Sequence, residues 1–150
     1  MKKLLLVAAA LFAGYTLFNS QHGLALKEAP SSVSEQRAES SDAALANVFS
    51  NHESNLQVSG QGVVTRLLPD DDSGSRHQKF IIRLPSGQTL LISHNIDLAP
   101  RISSLREGDA IEFYGEYEWN EKGGVVHWTH RDPNGSHEAG WLQRQGNRYQ

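Results

Sequence analysis

Leu105-Arg-Glu-Gly-Asp-Ala-Ile-Glu-Phe-Tyr-Gly-Glu-Tyr-Glu-Trp119 is the stretch whose reading decides the fold. From Ala110 onward it has a period of two. Ile111, Phe113, Tyr117 and Trp119 share one face, and Glu112, Tyr114, Glu116 and Glu118 share the other. Successive side chains of a strand point to opposite faces, so this is a strand with one apolar face and one acidic, hydrated face. Upstream of it, Asn95 to Glu107 carries Asp97-Leu-Ala-Pro100 and Ser103-Ser-Leu-Arg-Glu107 and fits a turn or one short helix, stopped by Gly108. Downstream, Asn120-Glu-Lys-Gly-Gly124 turns the chain into Val125 to His130, the next strand.

Three further strands precede this core. Leu56 to Leu68 is rich in β-branched and aliphatic residues, and Gly60 and Gly62 inside it predict a bulge or a sharp bend. Arg76 to Leu84 alternates, with Phe80, Ile82 and Leu84 opposite Lys79 and Arg83. Pro85-Ser-Gly87 reverses the chain into Gln88 to His94, where Leu90 and Ile92 face in. Three strands, a short connection and two strands is the order of an all-β, five-stranded OB-like Greek-key barrel, with an SH3-like barrel as its rival. The tail from Pro133 to Gln150 is loop-rich and has no periodicity of its own, although Trp141, Leu142 and Tyr149 can pack back on the barrel.

The first 55 residues divide differently. Lys2 and Lys3 followed by the apolar run Leu4 to Phe18 read as an export signal, with cleavage expected after Ala25 or, alternatively, an uncleaved N-terminal anchor. Residues 26–41 are polar and serine-rich and read as a flexible tether, because such a segment buries too little surface to offset its ordering entropy. Ser41 or Asp42 then caps a short helix with Leu45, Val48 and Phe49 on one face, which would cover one opening of the barrel. The expected organisation is a signal peptide over 1–25, a tether over 26–41 and a barrel domain over 42–150. The expected location is the periplasm or the exterior.

Composition excludes several functions. There are 150 residues and no cysteine, so a disulfide framework, a lipid anchor on cysteine, thiolate catalysis and cysteine-bound metal are all ruled out. Acidic residues outnumber basic ones, 17 to 14, and no basic stripe is present to track phosphates, which weighs against extensive nonspecific nucleic-acid binding. No phosphate-cradling glycine loop, serine-nucleophile elbow or His-Glu-x-x-His motif occurs.

The chemically capable residues gather late in the chain. Neutral imidazole is both a ligand for divalent transition metals and a general base near neutral pH. His94 shares parity with Leu90 and Ile92 and therefore lies at the core side of a strand end. His130 sits at the inner rim if Trp128 faces the core, with Asp132 beside it, and the turn after Asp132 can fold His137 back. A candidate polar site thus comprises His94, Asp97, His127, His130, Asp132 and His137, with His94, His130 and His137 as metal ligands. His127 and His130 point to opposite faces unless the strand ends between them. The competing reading is structural: histidines at strand ends bond loop backbone, and Asp132-Pro-Asn-Gly135 is a turn sequence. Tyr114, Trp128 and Trp141 are candidates for stacking a ligand, although strand parity favours a core position for Trp128. The acidic neighbours of Tyr114 would repel phosphate and favour a neutral sugar, a cation or solvent.

His94-Asn-Ile-Asp97, Gly115-Glu-Tyr-Glu-Trp-Asn120, Gly123-Gly-Val-Val-His-Trp-Thr-His130 and Asp132-Pro-x-Gly135-x-His137 with Gly140-Trp141 resemble the bacterial family called domain of unknown function 3465. The likeness covers roughly residues 45–150. It implies a bacterial exported protein and brings no catalytic residues with it. Two functions stay open: a binding or interaction module for a small molecule, glycan or protein, and a metal-assisted hydrolase of nuclease type using the His/Asp cluster.

Overall fold

A computed structural model of the chain describes residues 33–150. The expected signal peptide, its cleavage site and the start of the expected tether lie outside the described residues. One helix and seven strands follow: α1 (Val33–Ser50), β1 (Leu56–Leu67), β2 (His77–Arg83), β3 (Thr89–Asn95), β4 (Ala110–Glu118), β5 (Val125–His127), β6 (Trp141–Arg144) and β7 (Asn147–Tyr149).

The first five strands close on themselves. β1 pairs with β2, β2 with β3 and β4 with β5, all antiparallel; β3 pairs with β5 in parallel, and β1 returns to pair with β4 along its length. The parallel β3–β5 contact together with the β1–β4 closure is the OB arrangement, and it decides against the SH3-like alternative. Phe80, Ile82, Leu90, Ile92, Ile111, Phe113, Tyr117 and Val126 fill the interior, each fully buried. These are the inward positions of strands whose alternate residues face out, as the period of two requires.

Both barrel ends are plugged. The β3–β4 connection is a loop of turns, without a helix, and it inserts Ile102 and Leu105 into the core. Gln78, itself buried, holds this plug by accepting from the backbone N–H of Ile102 at 3.0 Å and donating to its carbonyl at 3.1 Å. At the other end lies α1, whose buried Leu45 joins the core while Val48 packs against it. The Asp42 carboxylate accepts from the backbone N–H of Ser86 at 2.6 Å and from its hydroxyl at 2.9 Å, tying the helix to the β2–β3 turn. Trp119 Nε1 donates to the Phe49 carbonyl at 3.1 Å, tying it to the end of β4.

Four sequence expectations are corrected. The helix begins at Val33, not at Ser41, so the part of the expected tether from Val33 onward is helical. Ser41 bonds back to the Arg37 carbonyl inside the helix, and Asp42 bonds the barrel in place of capping. The irregularity in β1 falls between Val64 and Arg66. Gly60 is instead regular strand with a ring against it: a Cβ there would lie 2.7 Å from Phe113 and 3.0 Å from Leu45, so the position is small to admit both core side chains. β5 stops at His127 and does not reach His130, because Trp128 takes a left-handed φ of 51° and turns the chain out of the ladder. Finally, the tail is not merely loop. β6 continues the β4 ladder beyond the point where β5 leaves it, and β7 folds back on β6 through Gln145-Gly146, both at positive φ.

Candidate metal centre

Three strands carry outward side chains in one row. Gln57 of β1 stands opposite Glu116 of β4, and Glu116 stands opposite His127 of β5. Glu118 lies two residues along β4 on the same face. His127 Nε2 is 3.6 Å from Glu116 Oε1 and 4.0 Å from Glu118 Oε1. One ligand atom from each of the three lies within 4.8 Å of the others. Two ligands held about 2.0–2.2 Å from one tetrahedral ion are roughly 3.3–3.6 Å apart, so the spacing is near that of a coordination shell and too long for hydrogen bonds.

His127 Nε2 is inaccessible to solvent and has no hydrogen-bond partner. Burial lowers the pKa of this ring, and the charges of Glu116 and Glu118 only partly offset that, which favours the neutral imidazole that ligates metals. His137 differs. Its Nδ1 donates to the Glu138 carbonyl at 2.8 Å, and its Nε2 is 2.5 Å from Glu116 Oε2. Burial works against its protonation, but the bonds to Glu116 and Glu138 and the charges of Glu116 and Asp132 prevail, so its pKa lies above the ordinary value. His127 thus approaches one oxygen of Glu116 and His137 holds the other, which fixes the orientation of the carboxylate. Trp128 stacks flat on His137, with centroids 4.0 Å apart and planes at 7°.

The candidates read from the sequence separate into different surroundings. His94 is fully buried, with Nε2 3.2 Å from the Pro100 carbonyl and Nδ1 2.8 Å from the Thr129 hydroxyl. A carbonyl only accepts, so Nε2 donates and Nδ1 accepts, leaving no lone pair for a metal. His130 is buried and donates from Nδ1 to the Arg131 carbonyl at 2.8 Å. Asp97 is taken by Arg76, through the backbone N–H at 2.8 Å and Nε at 2.7 Å. Asp132 accepts from the backbone N–H groups of Asn134, Ser136 and His137, which builds its turn. The expected set of His94, His130 and His137 is therefore redrawn: His127 and His137 meet at Glu116 on the outer face, whereas His94 is interior scaffold. Among the stacking candidates, Trp128 covers His137, Trp141 lies under the Arg148 guanidinium at 4.3 Å, and Tyr114 bonds Glu138.

His94 has a consequence of its own. Burial pushes its pKa from 6.5 to about 4. A depressed pKa means that the fold holds the neutral ring, so its contribution is complete above pH 6.5 and is lost as pH falls toward 4. Urea denaturation is expected to give a stability about 3 kcal/mol lower at pH 4 than at pH 7 from this residue. The difference should shrink by that amount in His94→Gln. An unchanged difference would show that the ring does not resist protonation.

The described residues form an OB-like barrel with a carboxylate–imidazole cluster on its outer face. A family model described as protein of unknown function (DUF3465) matches residues 28–150, and the chain belongs to that family. Comparison with curated proteins gives no match.

Proposed function

We propose that this chain is an exported OB-barrel module that binds a divalent first-row transition ion through Glu116, Glu118 and His127. The carrying observation is the buried, unpartnered Nε2 of His127 facing two carboxylates at near-coordination spacing. Leaving a buried polar nitrogen unpaired costs roughly 1–3 kcal/mol, and an ion would supply the missing partner. One imidazole and two carboxylates form a borderline donor set suited to zinc, iron, manganese or nickel. Glu116 and Glu118 favour a cation over a phosphate chain.

The test is a zinc titration of the purified, untagged chain followed by thermal melting. At zinc 100-fold above the dissociation constant the fold gains about 2.7 kcal/mol, and its melting temperature rises accordingly. A melting temperature indifferent to zinc, cobalt and manganese would overturn the reading. Three protein ligands with an open position is also the form in which catalytic zinc is held, so metal-assisted hydrolysis at this ion is the second reading.

Export is part of the proposal and rests on Lys2, Lys3 and the apolar run Leu4 to Phe18. Among the described residues no helix is long and apolar enough to cross a membrane. Cell fractionation is expected to find the chain outside the cytoplasm, and recovery of the full-length chain in the cytosol would refute this part.

A further inference from the structure

Farther along the outer side of the barrel, over the β2–β1–β4–β6 run, lies a cleft of about 530 Å³. That size falls within the range of small-molecule sites. Two cross-strand rows form its floor. In the first, Val63 of β1 pairs with Arg83 of β2 on one side and with Ala110 of β4 on the other. In the second, Glu112 of β4 pairs with Gln61 of β1 and with Gln143 of β6. Gln143 is half-buried and the rest are exposed, because the intervening Gly62, Val64 and Ile111 take the inward positions. The Leu84-Pro85 bend bounds the cleft beyond β2, and the Gln145-Gly146 turn bounds it beyond β6.

The lining is bipolar. Arg83 has no acidic partner among the described residues. Glu112 has one oxygen, Oε1, taken by Gln143 Nε2 at 3.2 Å. Between the two charges lies an apolar step made by Ala110 and by Val63, which is 46% exposed. Two strand spacings and two residues of rise set the Cα atoms of Arg83 and Glu112 about 12 Å apart. A dipeptide spans about 7 Å between its termini, and the reach of the two side chains covers the difference. No aromatic ring lines the cleft, so a sugar or a base has no platform to stack on. A simple anion would meet Glu112, and a simple cation would meet Arg83. A ligand carrying both charges satisfies both. The amides of Gln61, Gln143 and Gln145 add donors and acceptors that match a peptide bond.

We propose that this cleft binds a short zwitterionic peptide with apolar side chains. Its carboxylate lies on Arg83, its ammonium on Glu112 and its apolar body on Val63 and Ala110. The site shares no residue with Glu116, Glu118 and His127, and it stands whether or not an ion binds there.

Leucyl-leucine is titrated into the isotope-labelled full chain and followed through the backbone amide signals by nuclear magnetic resonance. A dissociation constant on the order of 0.1–1 mM is expected for a ligand of this size. The shifts should centre on Gln61–Thr65, Ala110–Glu112 and Gln143–Gly146. Leucyl-leucinamide lacks the carboxylate and N-acetyl-leucyl-leucine lacks the ammonium. Each should bind about fivefold more weakly, the upper range for an exposed ion pair. Arg83→Gln should lose that factor toward leucyl-leucine and nothing further toward leucyl-leucinamide. Glu112→Gln should behave likewise toward the acetylated peptide. Both positions are exposed, so the variants keep the fold. A cleft whose signals stay still at about 10 mM peptide, tenfold above the weakest expected constant, would overturn the proposal. Equal affinity for the free and the blocked peptides would remove the charge pairing and overturn it too. Cleft signals that move with protein concentration alone would place a second copy of the chain there instead.

Discussion

Replacing His127 by alanine is expected to weaken zinc binding by about 100- to 1000-fold while leaving the metal-free fold nearly as stable as before. Four-ligand structural zinc sites bind with roughly 10–16 kcal/mol in all, so one protein ligand accounts for about 3–4 kcal/mol, the free energy of a 100- to 1000-fold loss. The metal-free protein behaves otherwise, because His127 Nε2 makes no bond whose loss would count against the variant. Its ring is also only partly covered, with the side chain about one-third exposed, so little apolar contact is forfeited. The two effects separate the readings. A structural histidine would give a destabilised variant and a parent indifferent to zinc. A ligand gives a variant that melts with the metal-free parent and does not rise on zinc addition. Calorimetric titration and thermal melting of both proteins, with and without zinc, check it. A variant that binds zinc as tightly as the parent would remove His127 from the centre.

The barrel was legible because its evidence is local. Alternation in Ala110–Glu118 assigns Ile111, Phe113 and Tyr117 to the interior and Glu116 and Glu118 to the outside without any knowledge of the partners, and those assignments hold. Parity likewise placed His94 on the core side, where it is. What parity does not contain is which strand lies beside which residue. The Gln57–Glu116 neighbourhood joins segments nearly sixty residues apart, and no local pattern marks it. The Glu116–His127 pair was nearer to hand. A hairpin turning through Asn120–Gly124 with Glu118 opposite Val125 forces Glu116 opposite His127, and the Gly-Gly turn was the available cue. The sequence pattern sets His94 and His130 at strand ends instead, although β3 runs on to Asn95 and β5 stops at His127. Burial then decided against His94: in the dry interior its two nitrogens are consumed by Pro100 and Thr129, a fate that spacing alone cannot reveal. β6 and β7 leave no mark in the sequence because each is a handful of residues, too short for a period to emerge, and Gln145-Gly146 is a weaker turn cue than Asn-Gly.

Gly140→Ala is expected to destabilise the fold by about 3 kcal/mol or more, lowering the melting temperature by roughly 10 °C. Gly140 marks where the chain, having left the ladder at Trp128, rejoins it to begin β6. Its N–H donates to the His130 carbonyl at 2.9 Å, and its α-carbon lies between β4 and the segment Trp128–Thr129. A Cβ there would sit 2.0 Å from the Trp128 carbonyl oxygen, 2.5 Å from that of Tyr114 and 3.0 Å from the α-carbon of Thr129. All three are backbone atoms, and no rotamer relieves them. The methyl can be accommodated only by parting the 128–140 loop from β4, and with it the β6 ladder to Glu112, Phe113 and Tyr114. That same loop carries His137, so its bond to Glu116 should be lost together with the stack on Trp128. The three proposed ligands lie elsewhere, on β4 and β5. Zinc affinity should therefore fall by about 10- to 100-fold, the effect of losing an orienting residue, and by less than in His127→Ala. A variant that melts like the parent would mean that the loop yields freely at Gly140. Zinc affinity lost as completely as in His127→Ala would mean that His137 is itself a ligand to the ion.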